Sequence, residues 1–279
     1  MRYTKDNPLR VMTLASGYDS QALALKRLAE KFPGFAYDLV AWAEFDPEST
    51  TPLERQPAVV AHNALFPQWA DRNWGDLTKI DWEKVPDFDM LFGSTPCQSI
   101  SSAGLQHGFT KDSGTRSSII WNVHDCVRIK RPKYIIMENV SAILSGKFLP
   151  TLQLWLTELE KMGYSVFMPH SYPTPWKGGR TKSGCMNATD YGVPQNRLRW
   201  FCVAILRTDD DPEPVYHFPH PFALERCLAD VLEESVDERY FLSDEMLARF
   251  CERAVDEDGM SIDYDSMDED EVDLEDIII

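Results

Sequence analysis

Between Leu9 and Leu206, short apolar runs alternate with longer stretches of helical periodicity, and this alternation restricts the chain to few folds. Alternating strand and helix patterns point to βαβ units and a largely parallel sheet. Residues 9–15 read as a first strand, and 20–31 as a helix with apolar positions at Leu23, Leu25, Leu28 and, just beyond, Phe32. Residues 39–43, 89–92 and 134–137 read as further strands, and 149–162 as an amphipathic helix stopped by Gly163. The last strands are expected at 166–169 and 200–206. The expected fold class is α/β, doubly wound, with ligand sites at the C-terminal ends of the strands.

After Leu206 the texture changes. The polar connection Thr208-Asp209-Asp210-Asp211-Pro212-Glu213-Pro214 places a boundary near Arg207, and Pro219 and Pro221 keep the next stretch irregular. Short helices are expected over 224–232 and 243–255, the second opening on Ser243-Asp244-Glu245. This divides the chain into a main domain over 1–207, a short helical appendage over 208–255 and an acidic tail over 256–279.

Charge follows the same division. The net charge of −17 argues at face value against a polyanionic partner. Residues 256–279 hold 12 Asp or Glu and no Lys or Arg, leaving 33 acidic against 28 basic side chains before them, a balance of −5. The main body is therefore close to neutral and has room for a local basic face. The tail has too little apolar content to offset its ordering entropy, and reads as a disordered, solubilising segment. The six cysteines, at 97, 126, 185, 202, 227 and 251, show no Cys-x-x-Cys spacing. No disulfide framework or metal site is expected, and a reducing cytoplasm is the default. No apolar run approaches the roughly 20 residues that cross a bilayer, and the N-terminus lacks a secretory pattern.

Two strand ends carry chemistry. Gly93-Ser94-Thr95-Pro96-Cys97-Gln98-Ser99 follows the strand at 89–92, and Glu138-Asn139-Val140 follows the strand at 134–137. Two parallel strands thus deliver a thiol and a carboxyl group to one crevice. A lone cysteine is more often a small buried hydrophobe, and a lone glutamate a solvated or capping carboxylate. The pair at neighbouring strand ends shifts that balance without specifying a reaction.

Pro96-Cys97-Gln98, Glu138-Asn139-Val140 and Tyr191-Gly192-Val193-Pro194-Gln195-Asn196-Arg197-Leu198-Arg199 resemble, in order, three signature motifs of the DNA cytosine-C5 methyltransferases. The resemblance runs from about Leu9 to Leu206 and weakly on to Phe241. It implies the Rossmann-like methyltransferase fold and transfer of a methyl group from S-adenosylmethionine to C5 of a cytosine flipped out of DNA. Cys97 is then the nucleophile at C6, Glu138 the acid that protonates N3, and Arg197 and Arg199 the cations that stabilise the activated base. Gln98, Ser99, Asn139, Val140 and Gln195 are implied to position the substrate.

For the cofactor, the resemblance implies contacts from Gly17, Tyr18, Glu44, Phe45, Asp76 and Pro96, with Glu44 on the ribose hydroxyls, Phe45 stacked on the adenine and Asp76 near its amine. The family pattern Phe-x-Gly-x-Gly-Gly is altered here. Ala15 stands at the aromatic position, Gly17 matches the first glycine, and Asp19-Ser20 replace the glycine pair. Gly114-Thr115-Arg116-Ser117-Ser118 resembles the loop and helix start that close the site.

Family members continue into a target-recognition region, a further helical motif and a Gly-Asn-Ser/Ala-Val segment. His217-Phe218-Pro219-His220-Pro221-Phe222 and Leu228-Ala229-Asp230-Val231-Leu232 resemble only the passage leading there. The expectation is the catalytic part of a split or truncated DNA-modifying enzyme of a prokaryotic or phage-infected cell. A second polypeptide would supply recognition, and the chain alone would bind S-adenosylmethionine weakly. The alternative is a catalytically silent methyltransferase-like protein that binds a protein partner through its acidic surface.

Overall fold

Strand β1 (Leu9–Leu14) is buried at every position but Arg10, as a central strand covered on both faces must be. The computed structural model describes residues 3–96, 109–111, 116–174 and 180–253. In it β1 lies between β2 (Tyr37–Ala43) and β3 (Met90–Gly93), and β3 pairs with β4 (Tyr134–Val140), all in parallel. β7 (Leu198–Leu206) inserts between β4 and β5 (Tyr164–Phe167) and runs antiparallel to both; the short β6 (Cys185–Asn187) also pairs with β7. The sheet has 7 strands in the order β2-β1-β3-β4-β7-β5, with β6 off that path.

The pleat sends alternate residues of β1 to different cores. Leu9 and Val11 join Leu39 and Trp42 beneath α1 (Ser20–Lys31) and α2 (Pro57–Leu65). Met12 and Leu14 join Ile135 and Met137 against α3 (Ile120–Lys130) and α4 (Leu149–Lys161). Helices on both faces make the sheet doubly wound, as the alternation of elements implies. Buried tryptophans still find acceptors for their ring N–H: Trp42 donates to Trp69 O at 2.8 Å, Trp155 to Ile120 O at 3.1 Å. Gly163, at φ +92°, ends α4 in the left-handed conformation that favours glycine.

α1 forms over the expected residues, with Ala22 and Leu25 buried and Leu28 and Phe32 39% and 43% exposed. Other expectations need correction. Two helices escaped the periodicity: α2, whose only polar side chains are the adjacent His62 and Asn63, and α3, of which only the start after residues 114–118 was expected. α2 starts on Pro57, and α3 buries Ile120, Trp121, Val123, His124, Cys126 and Val127. Glu138, Asn139 and Val140 do not follow β4 but finish it, because β7 supplies their backbone partners Phe201, Trp200 and Arg199.

The chain divides into two units, Met1–Leu228 and Ala229–Ile279. The helix expected over 224–232 is only a 3-10 turn at Leu228–Val231. Leu228, Val231 and Leu232 are exposed there, so no packed apolar face offsets the cost of helix nucleation. α5 (Asp244–Arg253) does form, and the Ser243 hydroxyl caps it by accepting from Met246 N at 3.3 Å. The residues of the acidic tail lie outside those described. No helix among the described residues is long and apolar enough to cross a membrane.

Candidate active site

The C-terminal ends of β1, β2 and β3 open onto a cavity of about 730 Å³. After β1 the backbone turns sharply: Gly17 has φ +57° and donates from its N–H to Glu44 Oε2 at 2.7 Å, tying the first strand exit to the second. Asp19 holds a left-handed conformation of its own, φ 65° and ψ 62°. Its buried carboxylate accepts from Ala22 N at 2.9 Å, capping α1, and from Thr13 Oγ1 at 2.6 Å; His62 Nε2 lies 3.6 Å away. Aspartate is among the few residues that enter this region readily. Asp19 thus adopts at the altered glycine position a backbone shape that glycine favours, and adds a cap that glycine lacks.

Asn73 braces the second strand exit. Its Oδ1 accepts from Glu44 N at 3.1 Å and Gly75 N at 2.9 Å, and its Nδ2 donates to Glu44 O at 3.2 Å. Gln56 does the same for the next residues, accepting from Asp46 N at 2.8 Å. Neither residue stood out in the sequence, because each acts through contacts distant along the chain. Asp76 caps its own turn by accepting from Thr78 N at 3.0 Å and pairs with Lys79 at 3.0 Å. Burial pushes the Asp76 carboxyl up, but these donors outweigh it and hold it below the ordinary carboxylate range. Glu44, Asp46, Glu48 and Asp76 all line the cavity, with Phe45, and no lysine or arginine does so among the described residues.

A second cavity of about 610 Å³ shares Ala15, Gly17 and Ser94 with the first. Glu138, Arg197 and Arg199 meet here. Arg199 Nε sits 3.1 Å from Glu138 Oε1, with each side chain 24% exposed. Burial pushes the Glu138 carboxyl above its ordinary value, against the opposing pull of Arg199, Arg197 and a hydrogen bond from the Ser94 side chain. A glutamate raised in this way keeps its proton to higher pH than a solvated one, as a general acid requires. Tyr18 lines this second cavity rather than the first and is 59% exposed.

Asn139, on the opposite side of the pleat from Glu138, is buried. Its Nδ2 donates to Thr95 O at 3.1 Å and Thr95 Oγ1 at 3.3 Å, so β4 grips the loop that leads to Cys97. Pro96 lines the first cavity. Cys97, Gln98 and Ser99 lie outside the described residues, as do Gly114 and Thr115, while Arg116–Ile119 form a 3-10 turn leading into α3. Val140 pairs with Arg199 across the sheet, and Gln195 is exposed and lines neither cavity.

The model of the C-5 cytosine-specific DNA methylase family matches residues 9–273. The Type II methyltransferase M2.ScrFI of Lactococcus lactis subsp. cremoris is 37% identical over 178 residues, 64% of this chain and 44% of that protein. The orphan methyltransferase M.Rho11sI of Bacillus phage rho11s is 27% identical over 271 residues, 88% of this chain and 48% of that protein. The chain thus spans less than half the length of these two curated relatives. Among solved structures, Entamoeba histolytica methyltransferase EhMeth superimposes with a TM-score of 0.58 at 17% identity, covering 89% of this chain and 66% of that one. S. pombe Dnmt2 methyltransferase does so at 0.54 and 18%, covering 87% and 65%. At those identities the two structures speak for the Rossmann-like methyltransferase fold alone. With its motifs in family order and its matched span reaching across nearly the whole sequence, the chain belongs to the C-5 cytosine-specific DNA methylase family.

Proposed function

We propose that this chain transfers a methyl group from S-adenosylmethionine to C5 of a cytosine in DNA, through a covalent bond between Cys97 and C6 of the base. The observation that carries this reading is the shared wall between the two cavities. One is lined by four carboxylates and an aromatic ring, a donor set suited to a cationic cofactor with ribose hydroxyls. The other holds an acid and two arginines, suited to an aromatic base on which negative charge develops. S-adenosylmethionine, when bound, would supply the electrophilic methyl group, with Glu44 and Phe45 the residues placed to hold it.

The rest of the chemistry belongs to the chain. The Cys97 thiolate adds to C6, forming the S–C6 bond, while Glu138 gives its proton to N3, so that C5 becomes enamine-like and nucleophilic. Arg197 and Arg199 stabilise the charge displaced toward O2. After methylation, water takes the C5 proton, the electrons of that C–H bond restore the C5–C6 double bond and expel Cys97 as the thiolate, and the proton at N3 returns to Glu138. A base inside a duplex cannot reach such a site, so the target leaves its stack.

Incubation with S-adenosylmethionine and unmodified DNA, followed by nucleoside mass spectrometry, is expected to give 5-methyldeoxycytidine above the level of a Cys97→Ser control. Glu44→Ala should weaken cofactor binding about tenfold or more in calorimetry, the scale of a lost charged hydrogen bond. Methylation at a different atom, or none above the control, overturns the reading.

A further inference from the structure

α2 carries a fully buried histidine, His62, that lines neither cavity. Its imidazole stacks on Trp42 of β2, with ring centroids 3.7 Å apart and planes 19° apart, and Phe66 flanks it at 5.3 Å. The stack fixes the plane in which the two ring nitrogens point. Nδ1 lies 3.4 Å from Asn63 Oδ1. Nε2 has no hydrogen-bond partner and faces Asp19 Oδ2 at 3.6 Å. Asp19 is as fully buried as His62. A carboxylate offers about four lone-pair sites, and Thr13 Oγ1 and Ala22 N take two of those on Asp19. A bare Nε2 lone pair facing that carboxylate would be repelled, and a buried nitrogen left without a partner is costly. A proton on Nε2 removes both penalties.

We propose that Nε2 of His62 carries a proton directed at Asp19, and that His62 is thereby a positioning residue for the cofactor, tying α2 to the turn after β1. Both segments wall the first cavity: Ala15 and Gly17 come from the turn, and Gln56, Pro57 and Ala58 from the start of α2. Asp19 N donates to Ser16 O at 2.8 Å, so the residue that His62 faces is also the one that closes the turn presenting Gly17. Gly17 is bound to the end of β2 through Glu44; His62 binds the same turn to α2. The bearing on the cofactor rests on the methyltransferase reading; the placement of the proton does not.

The proton is located by long-range 1H–15N correlation on the full chain labelled with 15N-histidine, which separates the ring forms of imidazole. The His62 signals are identified among the six histidines by their Overhauser contacts to the stacked Trp42 indole, so no variant is needed. Nε2 is expected to be protonated, and a ring protonated at Nδ1 alone overturns the proposal. Calorimetry with S-adenosylmethionine tests the consequence. His62→Phe keeps the stack on Trp42 but loses the donor, and is expected to weaken binding by about five- to tenfold, within the worth of a hydrogen bond to a charged group. His62→Gln gives up the stack but keeps an N–H near the place of Nε2, and is expected to stay closer to the parent. A role in packing alone predicts the opposite order, and that order, or parental affinity in His62→Phe, overturns the proposal. A parent with the proton on Nε2 that binds no S-adenosylmethionine would leave the tie between α2 and the turn standing and remove the cofactor assignment.

Discussion

Glu138→Gln is expected to lower the single-turnover rate of cytosine methylation by about 10²–10⁴-fold, the usual contribution of a positioned general acid. Glutamine is close to isosteric and keeps hydrogen-bonding atoms near Arg199 and Ser94, so cofactor affinity and the unfolding midpoint should change little. What it cannot do is give N3 a proton. The pH profile carries the same signature. Burial raises the Glu138 pKa, so the parent holds its catalytic proton above the ordinary carboxylate range and loses activity as pH rises through that raised value. The residual rate of the variant should lack this limb. A variant that retains nearly the parental rate, or the same alkaline limb, removes Glu138 from the role of acid.

Asp19→Ala is expected to destabilise the protein by about 2–4 kcal/mol. An alanine at φ 65° takes on the left-handed penalty of about 1–2 kcal/mol. Losing the side-chain cap of α1 adds about 0.5–2 kcal/mol. The buried Thr13 hydroxyl also loses its acceptor. Asp19→Gly should cost less, because glycine accepts the backbone angles and forfeits only the cap and the Thr13 contact. Urea unfolding of the two variants checks the order. Equal losses would mean that the backbone angle contributes nothing, and a more stable Asp19→Ala would contradict the description of the loop.

That position also shows what could be read in advance. Read as letters, Asp19-Ser20 depart from a glycine-rich pattern. In three dimensions the pattern specifies a backbone angle, and an aspartate that caps the following helix meets it. β1, α4 and the motifs around Glu138 and Arg199 were legible because period and punctuation are local. α2 was not, since its only polar side chains, His62 and Asn63, are adjacent and make no stripe, and of α3 only the start was expected. The extension of β4 through Val140 was equally hidden, because its cause is the antiparallel arrival of β7, 58 residues later along the chain at Leu198. Asn73 behind Glu44, and Gln56 behind Asp46, belong to the same class: polar residues whose role exists only once distant segments meet.

A covalent bond between Cys97 and the target base can be trapped with DNA in which 5-fluorocytosine replaces cytosine, since fluorine at C5 blocks the elimination that releases the enzyme. With S-adenosylmethionine present, a complex of protein and DNA that survives denaturing electrophoresis is expected, formed by the parent and absent with Cys97→Ser. A parent chain that binds cofactor and DNA yet never forms that complex, or a Cys97→Ser variant that still does, would contradict that bond.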